Sequence, residues 1–261
     1  MTRFRRREPA ALRFHVVGAG LAVLWLLSRS VLSPSSQVLG PAFTHGDRRG
    51  PEVALTFDDG PNEPYTGQIL DILEARGVKA TFFLVGENVR RYPGTVRREA
   101  ALGMELGNHT MHHATLVGRP GPAIFREIAD AQETIEEASG VTPVWFRPPH
   151  GFRDPRLFRQ AGRLGLAVAE WSVMPKDWTA PGMPAIVQRV LNAVRPGDII
   201  LLHDGVNAVG GDRRETVEAL PYILDGLQAR GLKPVTLSQL AASGGRGLRG
   251  YRKLEGRAAD R

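Results

Sequence analysis

Val53-Ala54-Leu55-Thr56-Phe57-Asp58-Asp59-Gly60-Pro61 runs from an apolar segment straight into two adjacent acids and a turn pair. A strand buried on both faces reads as a short continuous apolar run, and Asp-Gly favours turns. Both carboxylates are therefore expected where such a strand ends. Outward from here the pattern repeats, with apolar runs at Ala80–Val85, Met104–Gly107, Val144–Phe146, Leu166–Val173, Asp198–Leu202 and Pro234–Leu237. Segments with helical spacing lie between several of them: Thr66–Arg76, Pro122–Ser139, a helix opened by Asp154-Pro155, Pro184–Val194 and Arg214–Arg230. Strands separated by helices pair in parallel through right-handed crossovers, which predicts an α/β domain over 51–241. About seven strands in that length suit a distorted (β/α) barrel better than an open doubly wound sheet. No G-x-G-x-x-G follows the first strand, which argues against a dinucleotide fold.

The flanks differ from this body. Of the net charge of +7, residues 1–29 hold +5 and residues 241–261 hold +4, leaving −2 for 30–240. A nucleic-acid enzyme would concentrate its basic residues on the fold, so no nucleic-acid partner is expected. Residues 1–36 read as an N-terminal signal peptide or membrane anchor. Arg3 through Arg13 precede the apolar run Val16–Leu27, which is short of the roughly 20 residues of a membrane span and suits a signal core. Cleavage near Ser28 and Ser30, or retention as an anchor extending to Leu32, are both open; either way the rest of the chain is expected to be exported, with membrane contact through this segment if uncleaved. Residues 37–50 lack apolar periodicity and read as a linker, and 242–261 as a basic flexible tail. There is no cysteine, hence no disulfide, thiolate metal site or cysteine nucleophile. Nothing in the sequence speaks to an oligomeric state.

In a parallel barrel the site lies at the carboxyl ends of the strands, and polar groups recur there. Asp58 and Asp59 end the first run, Asn108 and His109 the third, and Arg147 the fourth. Asp177 follows Leu166–Val173, and His203 ends Ile199–Leu202. His109 and His113, four apart, are expected on one side of a helical turn. With one carboxylate they could hold a divalent metal, leaving the second carboxylate as a base, a combination suited to metal-assisted hydrolysis. His112 competes as a ligand on spacing alone. Two imidazoles and a carboxylate favour zinc over magnesium, with cobalt and manganese compatible.

TFDDGP (56–61), HTMHH (109–113), RPPHG (147–151), KDW (176–178) and LLHD (201–204) occur in the order and at the spacing of one family. Over roughly residues 50–241 the chain resembles the NodB-homology polysaccharide deacetylases, carbohydrate esterase family four. The resemblance implies a distorted (β/α) barrel that removes acetyl groups from sugars with one divalent metal, commonly zinc. It implies Asp59, His109 and His113 as metal ligands, with water and the acetyl oxygen in open positions. Asp58 would be the general base, Arg147 its partner, His203 the acid for the leaving amine, and Asp177 the residue tuning it. Trp178 and Leu201 would wall the acetyl pocket, and a backbone N–H near His150 would face the oxyanion. His150 stands where the family often has Tyr, and Met174 replaces an acid common before the Asp-Trp pair.

The leading expectation is thus an exported deacetylase of an N-acetylated glycan, peptidoglycan or chitin-like. Hydrolysis of O-acetyl esters or a small amide is the enzymatic rival. A catalytically inactive glycan-binding protein is the non-enzymatic one.

Overall fold

The computed structural model describes residues 33–206 and 211–244, together with the isolated positions Gly18, Gly20, Val23 and Trp25. The rest of the leader and the tail beyond Gly244 lie outside the described residues, as does the segment 207–210. Among the described residues no helix is long and apolar enough to cross a membrane.

Among the described residues seven parallel strands form one curled sheet: β1 (Glu52–Gly60), β2 (Thr81–Leu84), β3 (Glu105–Asn108), β4 (Trp145–Phe146), β5 (Ala167–Val168), β6 (Ile199–His203) and β7 (Lys233–Val235). Their order is β5-β4-β3-β2-β1-β6, and β7 pairs with the first residues of β1. The chain after β5 draws the two ends together. Val173 bridges Ile200, the amides of Ser172 and Val173 donate to the Ile199 carbonyl, and Leu201 N–H donates to Val173 O. This seam makes the distorted barrel that the alternation predicts.

Helices cover the outside: α1 (Tyr65–Ala75), α2 (Gly86–Arg91), α3 (Pro93–Ala101), α4 (Gly121–Ser139), α5 (Pro155–Arg163), α6 (Met183–Ala193), α7 (Arg214–Ala229) and α8 (Leu237–Ala242). Five match predicted segments. The sequence reading passes over α2, α3 and α8, two of six residues and one of nine, too short for a sustained period. Period-2 alternation splits β1 between two cores. Val53, Leu55 and Phe57 pack outward with α1 and α7 residues, while Ala54 joins Phe83, Trp145 and Leu201 in a second cluster.

Residues 37–50 are not a free linker. Phe43 is buried, stacks on Trp145 (ring centroids 5.5 Å), donates to Val168 O (2.8 Å) and accepts from Glu170 N–H. Gly46 N–H donates to Gly197 O, and Arg48 pairs with Asp198 (3.0 Å). One buried phenylalanine is worth roughly 1.5–3 kcal/mol, and a single anchor leaves no periodicity to read.

Candidate active site

β1 continues three residues past its apolar run, so Asp58 and Asp59 lie within the strand rather than in the turn expected from the sequence. Neighbours in a strand normally face opposite ways. Here the register with β2 shifts between Asp58 and Gly60, and Asp59 adopts φ 74°, so both carboxylates face one cleft. A bulge that re-aims a side chain is a recurrent device beside sites. The facing Gly205 permits it, since a Cβ there would lie 1.9 Å from the Asp59 carbonyl oxygen.

His109 and His113 do not share a helical turn. They lie in an irregular loop after β3, with φ 70° at Thr110 and 52° at His113. Asn108 shapes that loop: its Oδ1 accepts from Thr110 N–H, and its Nδ2 donates to Ile128 O and Gln132 Oε1. The imidazoles nonetheless converge, with Nε2 of His109 and His113 at 3.3 and 3.1 Å from Asp59 Oδ1. His112 turns away, half-exposed, and bonds Glu127 through Nδ1 (3.0 Å).

This trio fits a divalent cation. His109 Nδ1–H donates to Arg147 O (2.7 Å), which leaves the Nε2 lone pair facing the carboxylate. Asp59 Oδ1 is buried without a hydrogen-bond partner, and the three donor atoms lie within 4.8 Å of one another. Acceptors gathered away from water are costly unless a cation joins them. Burial pushes the Asp59 carboxyl up, but the facing His109 and His113 outweigh it and hold it well below the usual carboxylate range.

Beside it, Arg147 Nη1 donates to Asp58 Oδ1 (2.6 Å) and to Thr56 Oγ1 (2.9 Å), while Nη2 donates to Glu170 O (3.0 Å). The guanidinium sits 4.0 Å over the Phe83 ring, and both partners of the ion pair are buried. Breaking such a pair from one side costs about 3–5 kcal/mol. Across the cleft, His203 Nδ1 bonds Asp177 Oδ1 (2.9 Å), and Asp177 Oδ2 accepts from His203 N–H (2.8 Å) and Thr216 Oγ1 (3.0 Å). Burial alone would lower the His203 pKa, but the Asp177 charge and hydrogen bond, helped by Asp59 and Asp58, raise it to about 9. Burial raises the Asp177 carboxyl, and the His203 contacts more than reverse that.

The cleft has a volume of about 580 Å³ and takes in Asp58, Asp59, His109, His113, His150, Trp178, Leu201 and His203. Arg147 and Asp177 stand directly behind it. His150 occupies a 3-10 turn, Pro149–Gly151, at φ 61°, its ring edge-on to His113 (4.9 Å). Burial and then the charge of His113 and His109 lower its pKa. Trp178 lies on a second 3-10 turn, Asp177–Thr179, edge-on to His203 (5.0 Å). The sequence reading passed over Pro34, Trp171, Val206 and Arg213 on the cleft wall, and the buried Glu170 behind it. Glu170-Trp171 inside an apolar run was a usable signal; Pro34 and Arg213 carried none.

Known proteins share this fold and much of this sequence. A family model described as polysaccharide deacetylase matches residues 45–169. The peptidoglycan-N-acetylglucosamine deacetylase of Bacillus cereus (strain ATCC 14579) is 40% identical over 190 residues, 72% of this chain and 87% of that protein. The chitooligosaccharide deacetylase of Rhizobium leguminosarum bv. trifolii is 41% identical over 194 residues, 72% and 90% of the two chains. The crystal structure of the Bc1960 peptidoglycan N-acetylglucosamine deacetylase, in complex with 4-naphthalen-1-yl-N-oxidanyl-benzamide, superposes with a TM-score of 0.75 at 34% identity. It covers 80% of this chain and 97% of that one. The chain belongs to the polysaccharide deacetylase family of carbohydrate esterase family four, NodB-homology hydrolases acting on the amide bonds of N-acetyl groups.

Proposed function

We propose that this chain is an exported, metal-dependent deacetylase that hydrolyses N-acetyl groups of a peptidoglycan or chitin-like glycan. The observation that carries the reading is the pairing of opposites across one cleft. A carboxylate aimed by Arg147 faces an imidazole held protonated by Asp177, with the Asp59/His109/His113 trio beside them. Amide hydrolysis needs a base and an acid present together at one pH, and these environments supply both. The basic leader and its apolar run support export.

A zinc ion on Asp59, His109 and His113 would polarise the acetyl carbonyl and acidify water at the site; cobalt or manganese suit the same donors. Asp58 takes the proton of the attacking water, whose oxygen bonds the carbonyl carbon, and Arg147 keeps Asp58 aimed. His203 gives its proton to the nitrogen as the carbon–nitrogen bond breaks, so acetate and a free amine leave. Asp177 orients the imidazolium, and the proton taken up by Asp58 returns to His203 through solvent to reset the pair. Leu201 and Trp178 wall the space for the acetyl methyl, and the backbone N–H beside His150 faces the developing oxyanion.

The test is acetate release from chitin oligomers and purified peptidoglycan by the full-length protein, loaded with zinc or treated with chelator. Chelator-sensitive acetate from either glycan is expected, and Asp58→Asn should retain metal while losing at least about 100-fold in turnover. No acetate from either glycan, with acetate from acetylated xylan, would replace the reading with ester hydrolysis.

A further inference from the structure

Arg213 is a charge on the cleft wall that makes no direct ion pair among the described residues, Asp212 acting on it only at longer range. Its side chain lines the cleft although the residue is only 8% exposed. Nε donates to Gly205 O (2.7 Å), Nη1 reaches Asp212 O (3.4 Å), and among the described residues it forms no ion pair. The adjacent Asp212 directs its carboxylate to the Arg214 amide (2.8 Å) and guanidinium (3.9 Å). Asn207-Ala208-Val209-Gly210, the four positions between Val206 and Gly211, include no acid.

Asp58 pairs with Arg147 and His203 with Asp177, and Asp59 belongs to the metal-ligand trio. A guanidinium has five N–H donors and cannot shed its charge, and the two backbone carbonyls it meets leave donors of the fork free for a ligand in the cleft. The Nε contact also fixes the plane of the fork. Its anchor, Gly205, is packed against the Asp59 backbone and lies two residues beyond His203. A pre-oriented arginine of this kind matches a carboxylate in two-point geometry.

We propose that Arg213 binds a carboxylate carried by the glycan on the sugar next to the one being deacetylated, making the cleft selective for acidic over neutral oligomers. The proposal rests on the deacetylase reading and names its substrate class. The carboxylate lies on the His203 side of the cleft, where the amine departs. A lactyl ether on an alternating amino sugar and a uronic acid both offer this group.

The experiment measures binding of three oligomers of equal length to the zinc-loaded full-length protein by calorimetry, with acetate assayed in the same samples. The probes are a neutral N-acetylglucosamine oligomer, a peptide-free strand alternating N-acetylglucosamine with N-acetylmuramic acid, and one alternating N-acetylglucosamine with glucuronate. Wild type is expected to bind at least one acidic oligomer about tenfold more tightly than the neutral one. Arg213→Gln should abolish that preference while changing neutral binding less than about twofold, and Arg213→Lys should keep part of it. Preference for one acidic probe identifies the carboxylate source. Equal weakening toward all three probes would make Arg213 a clamp on Gly205, and no acidic preference in wild type would remove the proposal. Selective binding without acetate would overturn the deacetylase reading and leave the Arg213 assignment standing.

Discussion

At the scale of single residues, the acid and the base are set by residue type together with the partner each one faces. Asp58 accepts from a buried guanidinium, whereas His203 is drawn up to about 9 against the depressing effect of burial. Its cationic form therefore persists through neutral pH, and acid catalysis by His203 fades only as pH rises through that value. The same linkage gives folding stability that is fully present below the ordinary imidazole pKa of about 6.5 and is lost as pH climbs toward 9. Asp177→Asn removes the main elevating charge. The alkaline limb of kcat/KM is then expected to move down toward about 6.5, with metal content unchanged. A bound dication would offset the pull of Asp58 and Asp59 but not that of Asp177, so a pH profile compared between the two proteins isolates the pair. An unmoved limb would take the proton donor's role from His203.

At the scale of elements, the segment leading into β1 belongs to the catalytic domain. Arg153 is buried, with its Nη groups donating to the carbonyls of Ser33 and Pro34 and its Nε 3.4 Å from Glu170 Oε1. Glu170 makes no side-chain hydrogen bond; burial, only partly opposed by Arg153 and Arg147, raises its pKa to about 8. Its carbonyl nevertheless holds Arg147, and Pro34 lines the cleft. The start of the described chain is thus tied through Arg153 and Glu170 to the partner of Asp58. A chain beginning at residue 33 is expected to keep full stability. One beginning at 37 strips two acceptors from a buried cation, a loss of about 1–3 kcal/mol. That corresponds to a melting temperature lower by about 5 °C, with a reduced kcat. Equal melting of the two proteins by calorimetry would show that Arg153 finds water instead.

At the scale of the molecule, direct pairing of β1 with β6 sets the distance between the two halves of the site, and closure of the barrel brings Asp177 to His203. The Asp58, Asp59 and His109 half lies on β1 and just after β3, and the His203 half on β6, where Asp58 and His203 are register partners; Val173 is stitched to Ile200 at the seam. Ile200 is fully buried in the core shared with α1 and α7 residues. Ile200→Ala leaves a cavity there and should cost about 2–5 kcal/mol by denaturant unfolding. A cost under about 1 kcal/mol would mean the seam relaxes freely.

The sequence by itself determined the α/β alternation, the seven parallel strands and which strand ends carry acids, imidazoles and an arginine. Each is written in local apolar runs and in the residue at their ends, such as His203 after Ile199–Leu202. It also specified Asp154 as a helix cap, whose Oδ1 accepts from the amides of Arg156 and Leu157. Only the tertiary structure decided that His113 rather than His112 turns to Asp59, because the loop between them is shaped by Asn108 and not by a helical period. It alone showed that Asp58 and Asp59 share a face, since a one-residue bulge beside Gly205 overrides strand alternation. The same is true of Pro34, Phe43 and Arg213. Their roles arise from contacts over more than a hundred residues of chain for the first two, and for the third from a charge with no direct ion pair among the described residues, and neither kind of relation leaves a local pattern.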